Sequence, residues 1–155
     1  MDIHEINKVL REKAIQAGLC NDWQERVWNR DLTMTELLTI YKRGIDFSLK
    51  QEWFDYDFIK REFPIEELHE ANIYIDEGVN IKEAESGTWV FLGKCHGSIC
   101  FDDFTVGNIY LRHDTRMKVI SKYMAKVFVA QYDNAEAEVH SRDGGIIKQY
   151  DRRNK

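Results

Sequence analysis

The chain has 155 residues, 43% apolar and 32% charged, and its 22 Lys+Arg against 27 Asp+Glu leave a net charge of −5. That length carries one domain with a real core, and the apolar fraction with a single proline excludes a disordered chain. No apolar run reaches the roughly 20 residues of a membrane helix, and no basic surface offers to neutralise phosphates, so neither a membrane nor nucleic acid is expected as a partner.

The charge is unevenly placed. Residues 1–70 hold ten Lys and Arg against fifteen Asp and Glu, whereas residues 71–155 hold twelve of each. The opening residues Met1-Asp2-Ile3-His4-Glu5 are acidic where a signal peptide is basic and then apolar. Three cysteines, an odd and sparse number, suit a reducing compartment. A cytoplasmic protein is expected.

Up to residue 70 the apolar residues recur at helical spacing. Ile3, Ile6, Val9, Leu10 and Ala14 form one stripe, with Asp2 placed to cap the helix and Gly18 to stop it. A short helix carrying Trp23, Val27 and Trp28 follows. These two tryptophans lie roughly 140° apart on a helix and cannot both face one core. Thr33 stands three residues before Glu36, the spacing of a capping box, ahead of Leu37, Leu38, Ile40, Tyr41, Ile45 and Leu49. Tyr56, Ile59, Lys60 and Phe63 predict one more short helix, ended by Pro64.

Beyond residue 70 the period changes to two. Ile73 and Ile75, Val79 and Ile81, Thr88–Leu92, Ile99–Phe101, Ile109–Leu111 and Met117–Ile120 read as short strands, and seven of the nine glycines fall in this half. From Ala125 a ten-residue register sets in, in which Ala125, Ala135 and Gly145 are expected to stack, as are Val127, Ala137 and Ile147, with Asp133 above Asp143. A strand and a polar turn repeated at fixed spacing predict a small β-solenoid. The fold expected is therefore α+β: a helical cap over 1–70, then an all-β body over 71–155. That body is a single-stranded β-helix or solenoid, with an antiparallel sheet or barrel as the alternative. No Pro/Gly/Ser linker separates the halves, so one continuous folding unit is expected.

The segment Ala125-Lys126-Val127-Phe128-Val129-Ala130-Gln131-Tyr132-Asp133-Asn134-Ala135 resembles the Ala-x-Val-x-Ala-x-x-Asp-Asn-Ala repeat of short β-solenoid proteins from bacterial prophages and mobile elements, mostly uncharacterised. Gly44-Ile45-Asp46-Phe47 resembles the helical leader of some of them. The resemblance implies a β-helical body of phage or mobile-element origin and brings no catalytic residues.

Several groups of residues are candidates for chemistry. Cys95, His96, Cys100 and Asp102 offer zinc-ligand chemistry within eight residues, yet no second matching pair exists and Cys20 is remote, so no metal site is assigned. Cys95 and His96 are adjacent, and neighbours on a strand point to opposite faces, which speaks against a thiol–imidazole pair; His113 or His140 would have to serve instead. His69, His96, His113 and His140 contain no His-x-His of a cupin-type centre. The carboxylate pairs Asp102-Asp103, Asp55/Asp57 and Glu66-Glu67 are sequence neighbours that diverge and match neither a glycosidase pair nor a calcium loop. No cofactor and no catalytic residue is expected.

The function expected is that of a non-catalytic structural or interaction protein. One face of the repeat strands (Ala125, Val127, Val129; Ala135, Ala137, Val139) turns inward. The other displays Lys126, Phe128, Ala130, Glu136, Glu138, His140, Ile146, Lys148 and Tyr150. Of these, Lys126, Phe128, Glu138, His140, Lys148 and Tyr150 mix charge with apolar surface in a way that suits a protein partner or a second copy, with a homodimer the simplest case. The alternative is a small enzyme or a ligand- or metal-binding barrel using the Cys95-His96 region. The basic tail Arg152-Arg153-Asn154-Lys155 is a further candidate contact for a second copy.

Overall fold

A computed structural model describes residues 1–153; Asn154 and Lys155 of the basic tail lie outside the described residues. The chain forms two compact units, residues 1–71 and residues 72–155.

The first unit is helical: α1 (Ile3–Gln16), a single π-helical turn over Trp23–Val27, then α2 (Met34–Arg43), α3 (Ile45–Gln51), α4 (Tyr56–Glu62) and α5 (Ile65–Glu70). The caps act as their residue types dictate. The Asp2 carboxylate accepts the Glu5 amide at 2.8 Å, and Gly18 takes φ 108° just past the end of α1. Thr33 and Glu36 close a reciprocal capping box. Arg30, reaching Glu36 at 2.6 Å, and the Thr33 amide hold the Glu36 carboxyl down at about 2.

Two helical expectations need correction. The Trp23 segment is a π-turn that ends before Trp28, which separates the two indoles: Trp28 is fully buried and Trp23 half-buried. The expected run from Leu37 to Leu49 is broken at Gly44, where the chain leaves helical geometry before α3 begins. The core of this unit is aromatic, with Trp28 against Trp53 at 5.7 Å, Tyr41 edge-on to Phe54 at 5.0 Å, and Phe54 against Phe63 at 5.2 Å.

Buried Asn7 ties α1 to the segment after the π-turn. Its amide nitrogen donates to the carbonyls of Ile3 and Leu32, each at 2.8 Å, and its oxygen accepts from Trp28 Nε1 at 3.1 Å and the Leu32 amide at 2.8 Å. Every hydrogen-bonding position of the side chain that a buried amide must satisfy is used.

The second unit is a β-solenoid of nine strands: β1 (Ile73–Ile75), β2 (Gly78–Ile81), β3 (Gly87–Leu92), β4 (His96–Phe101), β5 (Val106–Leu111), β6 (Arg116–Ser121), β7 (Lys126–Gln131), β8 (Glu136–Ser141) and β9 (Ile146–Asp151). Odd strands stack as one sheet, β1-β3-β5-β7-β9, and even strands as another, β2-β4-β6-β8. Every pairing is parallel, which removes the antiparallel-sheet alternative.

The coil also corrects the repeat. Val127 pairs with Ile147, twenty residues on, while Ala137 pairs with Met117 in the other sheet. Successive ten-residue copies therefore face each other across the interior, and only alternate copies stack. Read back in this frame, the repeat begins at Ser86, well before Ala125: Trp89, Ile99, Ile109, Val119 and Val129 all occupy the same inward position and all are buried.

Side-chain volume is traded between rungs. A Cβ on Gly107 would stand 2.4 Å from the Phe101 ring, so the missing side chain is the space that the ring fills. Burial fades toward the last strands, where Ala137, Val139 and Ile147 are only partly covered. Val139, expected in the core, is thus half-buried, because only one further coil strand, β9, follows β8 among the described residues.

Candidate interaction surface

Counted from the first residue of each strand, such as Lys126 in β7, alternation places positions one, three and five of each ten-residue unit on the outside of a sheet. On the odd sheet this aligns Val106–Lys126–Ile146, Asn108–Phe128–Lys148 and Tyr110–Ala130–Tyr150. On the even sheet it aligns His96–Arg116–Glu136, Ser98–Lys118–Glu138 and Cys100–Ile120–His140.

The six expected contact residues therefore split. Lys126, Phe128, Lys148 and Tyr150 share the odd sheet, and Glu138 and His140 share the even sheet, with His140 Nε2 3.5 Å from a Glu138 carboxylate oxygen. Ala130, expected on display, is buried instead. Its one-carbon side chain lies in register between Tyr110 and Tyr150, which overshadow it.

The corners between sheets differ in kind. At the outgoing corners, from odd strand to even strand, φ is positive at Gly93, His113 and Asp133. Side chains do the bonding here. Gly93 N–H donates to His113 Nδ1 at 2.9 Å, and His113 N–H donates to Asp133 at 3.0 Å. Arg112 Nε donates to the same Asp133 oxygen at 3.0 Å, and an Arg116 guanidinium N–H donates to the Asn134 carbonyl. Burial pushes the Asp133 carboxyl up, but the His113 amide and the Arg112 guanidinium outweigh it and hold the group below the usual carboxylate range.

At the return corners, from even strand to odd strand, φ is positive at both central residues: Asp103 and Phe104, Tyr123 and Met124, Asp143 and Gly144. This is the φ pattern of a type I′ turn. Each turn closes through a backbone bond, Thr105 N–H to Asp102 C=O at 3.1 Å, Ala125 N–H to Lys122 C=O at 3.2 Å, and Gly145 N–H to Arg142 C=O at 2.9 Å, and the Thr105 hydroxyl donates to the same Asp102 carbonyl at 2.7 Å. Backbone also links the rungs, Phe104 N–H to Tyr123 C=O at 3.1 Å and Met124 N–H to Asp143 C=O at 3.3 Å. Sequence reasoning did not find these corners, because a Phe or a Met gives no sign of a left-handed turn.

The cysteine–histidine segment is dispersed. Cys95 lies in the interior with its thiol donating to the Leu92 carbonyl at 3.3 Å. His96 lies on the outer face beside Gly78, and Cys100 is buried on that same outer face. Burial pushes both thiols up, away from the thiolate that ligation or attack requires. Asp102 sits at a return corner. Among the described residues, no three His, Cys, Asp or Glu side chains converge as a metal-ion cluster, and no helix is long and apolar enough to cross a membrane.

In the helical unit, an apolar groove of about 290 Å³ is lined by Leu19, Trp23, Ile40, Phe47 and Trp53, with Cys20 at its edge. Compared with known proteins, the chain matches no family model, no curated protein and no solved structure.

Proposed function

We propose that this chain is a non-catalytic structural or protein-interaction protein of the cytoplasm, of phage or mobile-element origin, whose β-body carries the contact. The partner is a protein, and a second copy of the chain is the simplest one. The observation that carries this reading is the apolar surface the β-body displays. Ile146 and Tyr150 are each more than two-fifths exposed on β9, beside Lys148 in the same strand. Large apolar groups left in water among charged ones favour a partner surface over bulk solvent.

The parallel coil supports the same reading. Its regular backbone ladder fixes rows of side chains at constant spacing, so that charge and apolar surface are presented on a rigid frame. The outer even sheet sets Lys118 in register with Glu138, and Arg116 with Glu136, which gives that face a defined charge pattern.

Light scattering on the full chain across a concentration series tests the proposal. A mass rising toward twice 18.4 kDa supports it. A monomer at every concentration overturns it. The origin is tested separately by the genes that flank this one: phage structural or mobile-element genes support it, and a metabolic operon contradicts it.

A further inference from the structure

The return corners carry residues that their backbone does not ask for. Asn and Gly are the favoured residues of type I′ turns. Phe104 at φ 64° and Met124 at φ 66° occupy a region that is sterically unfavourable for a bulky residue. Phe104 and Met124 bond the next rung through their backbone amides, so neither side chain is needed to close these corners.

Both are left in water. Phe104 is 75% exposed and Met124 52% exposed, and Tyr123, Val106 and Ile146 beside them are exposed too. Five of the large apolar residues exposed on the described chain thus lie along one corner of the β-body. They present on the order of 500 Å², more than half of the roughly 800 Å² that each partner contributes to a standard interface.

Resting on the reading that the β-body mediates self-association, we infer that this ridge is where a second copy docks, ridge against ridge, in antiparallel order about a two-fold axis at Met124. The order of side-chain sizes supports the pairing. Down the coil the tip of the turn reads Phe104, Met124, Gly144. Reversing one copy sets each Phe104 against the Gly144 of the other and brings the two Met124 side chains together. The floor at Gly144 is the Met124 side chain of the same chain, whose Sδ fills the place a Cβ would take. A thioether floor under an aromatic ring is a favourable contact.

Flanking rows fit the same reversal. Val106 meets Ile146 of the second copy, and Asp102 meets Arg142 with opposite charge. Three juxtapositions oppose association: Asp103 faces Asp143 of the second copy, and on the axis Lys122 and Lys126 each face the same residue of the second copy. The Asp103–Asp143 contact marks the register and makes it testable.

The experiment is sedimentation equilibrium on the full chain, alongside the double variant Phe104→Asn/Met124→Asn and the single variant Asp143→Asn. Asn accepts positive φ readily, so the double variant should keep or raise the melting temperature when both proteins are compared in monomeric, dilute solution, while weakening the dimer at least tenfold. Asp143→Asn should tighten the dimer several-fold. A dimer indifferent to the double variant overturns the ridge and leaves the broader interaction reading standing. A monomer at every concentration overturns both. A double variant that loses melting temperature together with the dimer assigns these side chains to the fold and overturns the ridge, as does an Asp143→Asn dimer weaker than the wild type.

Discussion

The backbone amide of His113 donates to the Asp133 carboxylate at 3.0 Å, one coil and twenty residues along the chain, while the His113 ring accepts the Gly93 amide at 2.9 Å. Three successive outgoing corners are thereby joined by side chains that each cap the left-handed residue of the coil before. The arrangement satisfies amides that a sharp turn removes from the parallel ladder.

Asp133 should make this corner sensitive to acid. Its carboxyl is held below its unfolded value, so its contribution is fully present above the ordinary carboxylate range. That contribution is lost as pH falls through the lower, folded value. The side chain is 40% exposed, and solvent screening limits the effect to about 1 kcal/mol. Melting curves from neutral to acidic pH check it: Asp133→Asn should be less stable than wild type at neutral pH, and the two should converge in acid. A constant difference across the range contradicts the assignment.

Strand register predicts opposite outcomes for neighbouring positions. Val127 is 1% exposed and packs in the interior, whereas Lys126 points outward. Val127→Asp should cost about 4 kcal/mol by burying an unpaired charge. Lys126→Asp, measured in dilute protein, should be nearly silent. Denaturant unfolding of the two variants decides it, and equal midpoints would reverse the register.

Gly107 should tolerate no side chain. Phe101 is fully buried, and its ring occupies the place of the missing Cβ. Gly107→Val should therefore destabilise by about 2 kcal/mol through overpacking. The companion change Phe101→Leu should return part of that loss, which a double-mutant cycle measures as a coupling between the two sites.

Asn7 is the corresponding test of the helical unit. Asn7→Leu keeps much of the volume but strands the Trp28 indole N–H and both the amide and the carbonyl of Leu32. A loss of about 3 kcal/mol is expected, with a change in tryptophan fluorescence as Trp28 loses its acceptor. An unchanged unfolding midpoint would remove the network from the account.

Much of the fold was legible in the sequence because short-range physics writes it there. Asp2, Thr33 with Glu36, and Pro64 mark helix ends through local hydrogen bonds and sterics, and the change of period near residue 70 follows from side-chain geometry alone. The coil period was not legible. Inward residues such as Trp89, Ile99 and Ile109 differ in size, so the repeat shows itself only after Ala125, where small residues recur at the turn. Ten residues also looked like the stacking distance, because both sheets obey one pattern and nothing local says which copies touch. The break at Gly44 and the π-turn at Trp23 depend on packing between elements. Of the expected contact residues, the alternation placed Phe128, Lys148 and Glu138 on the outer faces. The return corners are not legible because Phe104 and Met124 defy the propensity that a turn normally announces.

The central claim, that the chain associates through the return corners of its β-body, is tested most directly by a cross-link on the two-fold axis. Met124→Cys in a Cys20→Ser background leaves Cys95 and Cys100, both buried, and places one exposed thiol at the ridge. Lys94→Cys in the same background, on the exposed outgoing corner, is the control. Under mild oxidation the account predicts rapid disulfide dimer from the ridge thiol and little from the control. Equal dimer from both positions, or none from residue 124, would contradict it.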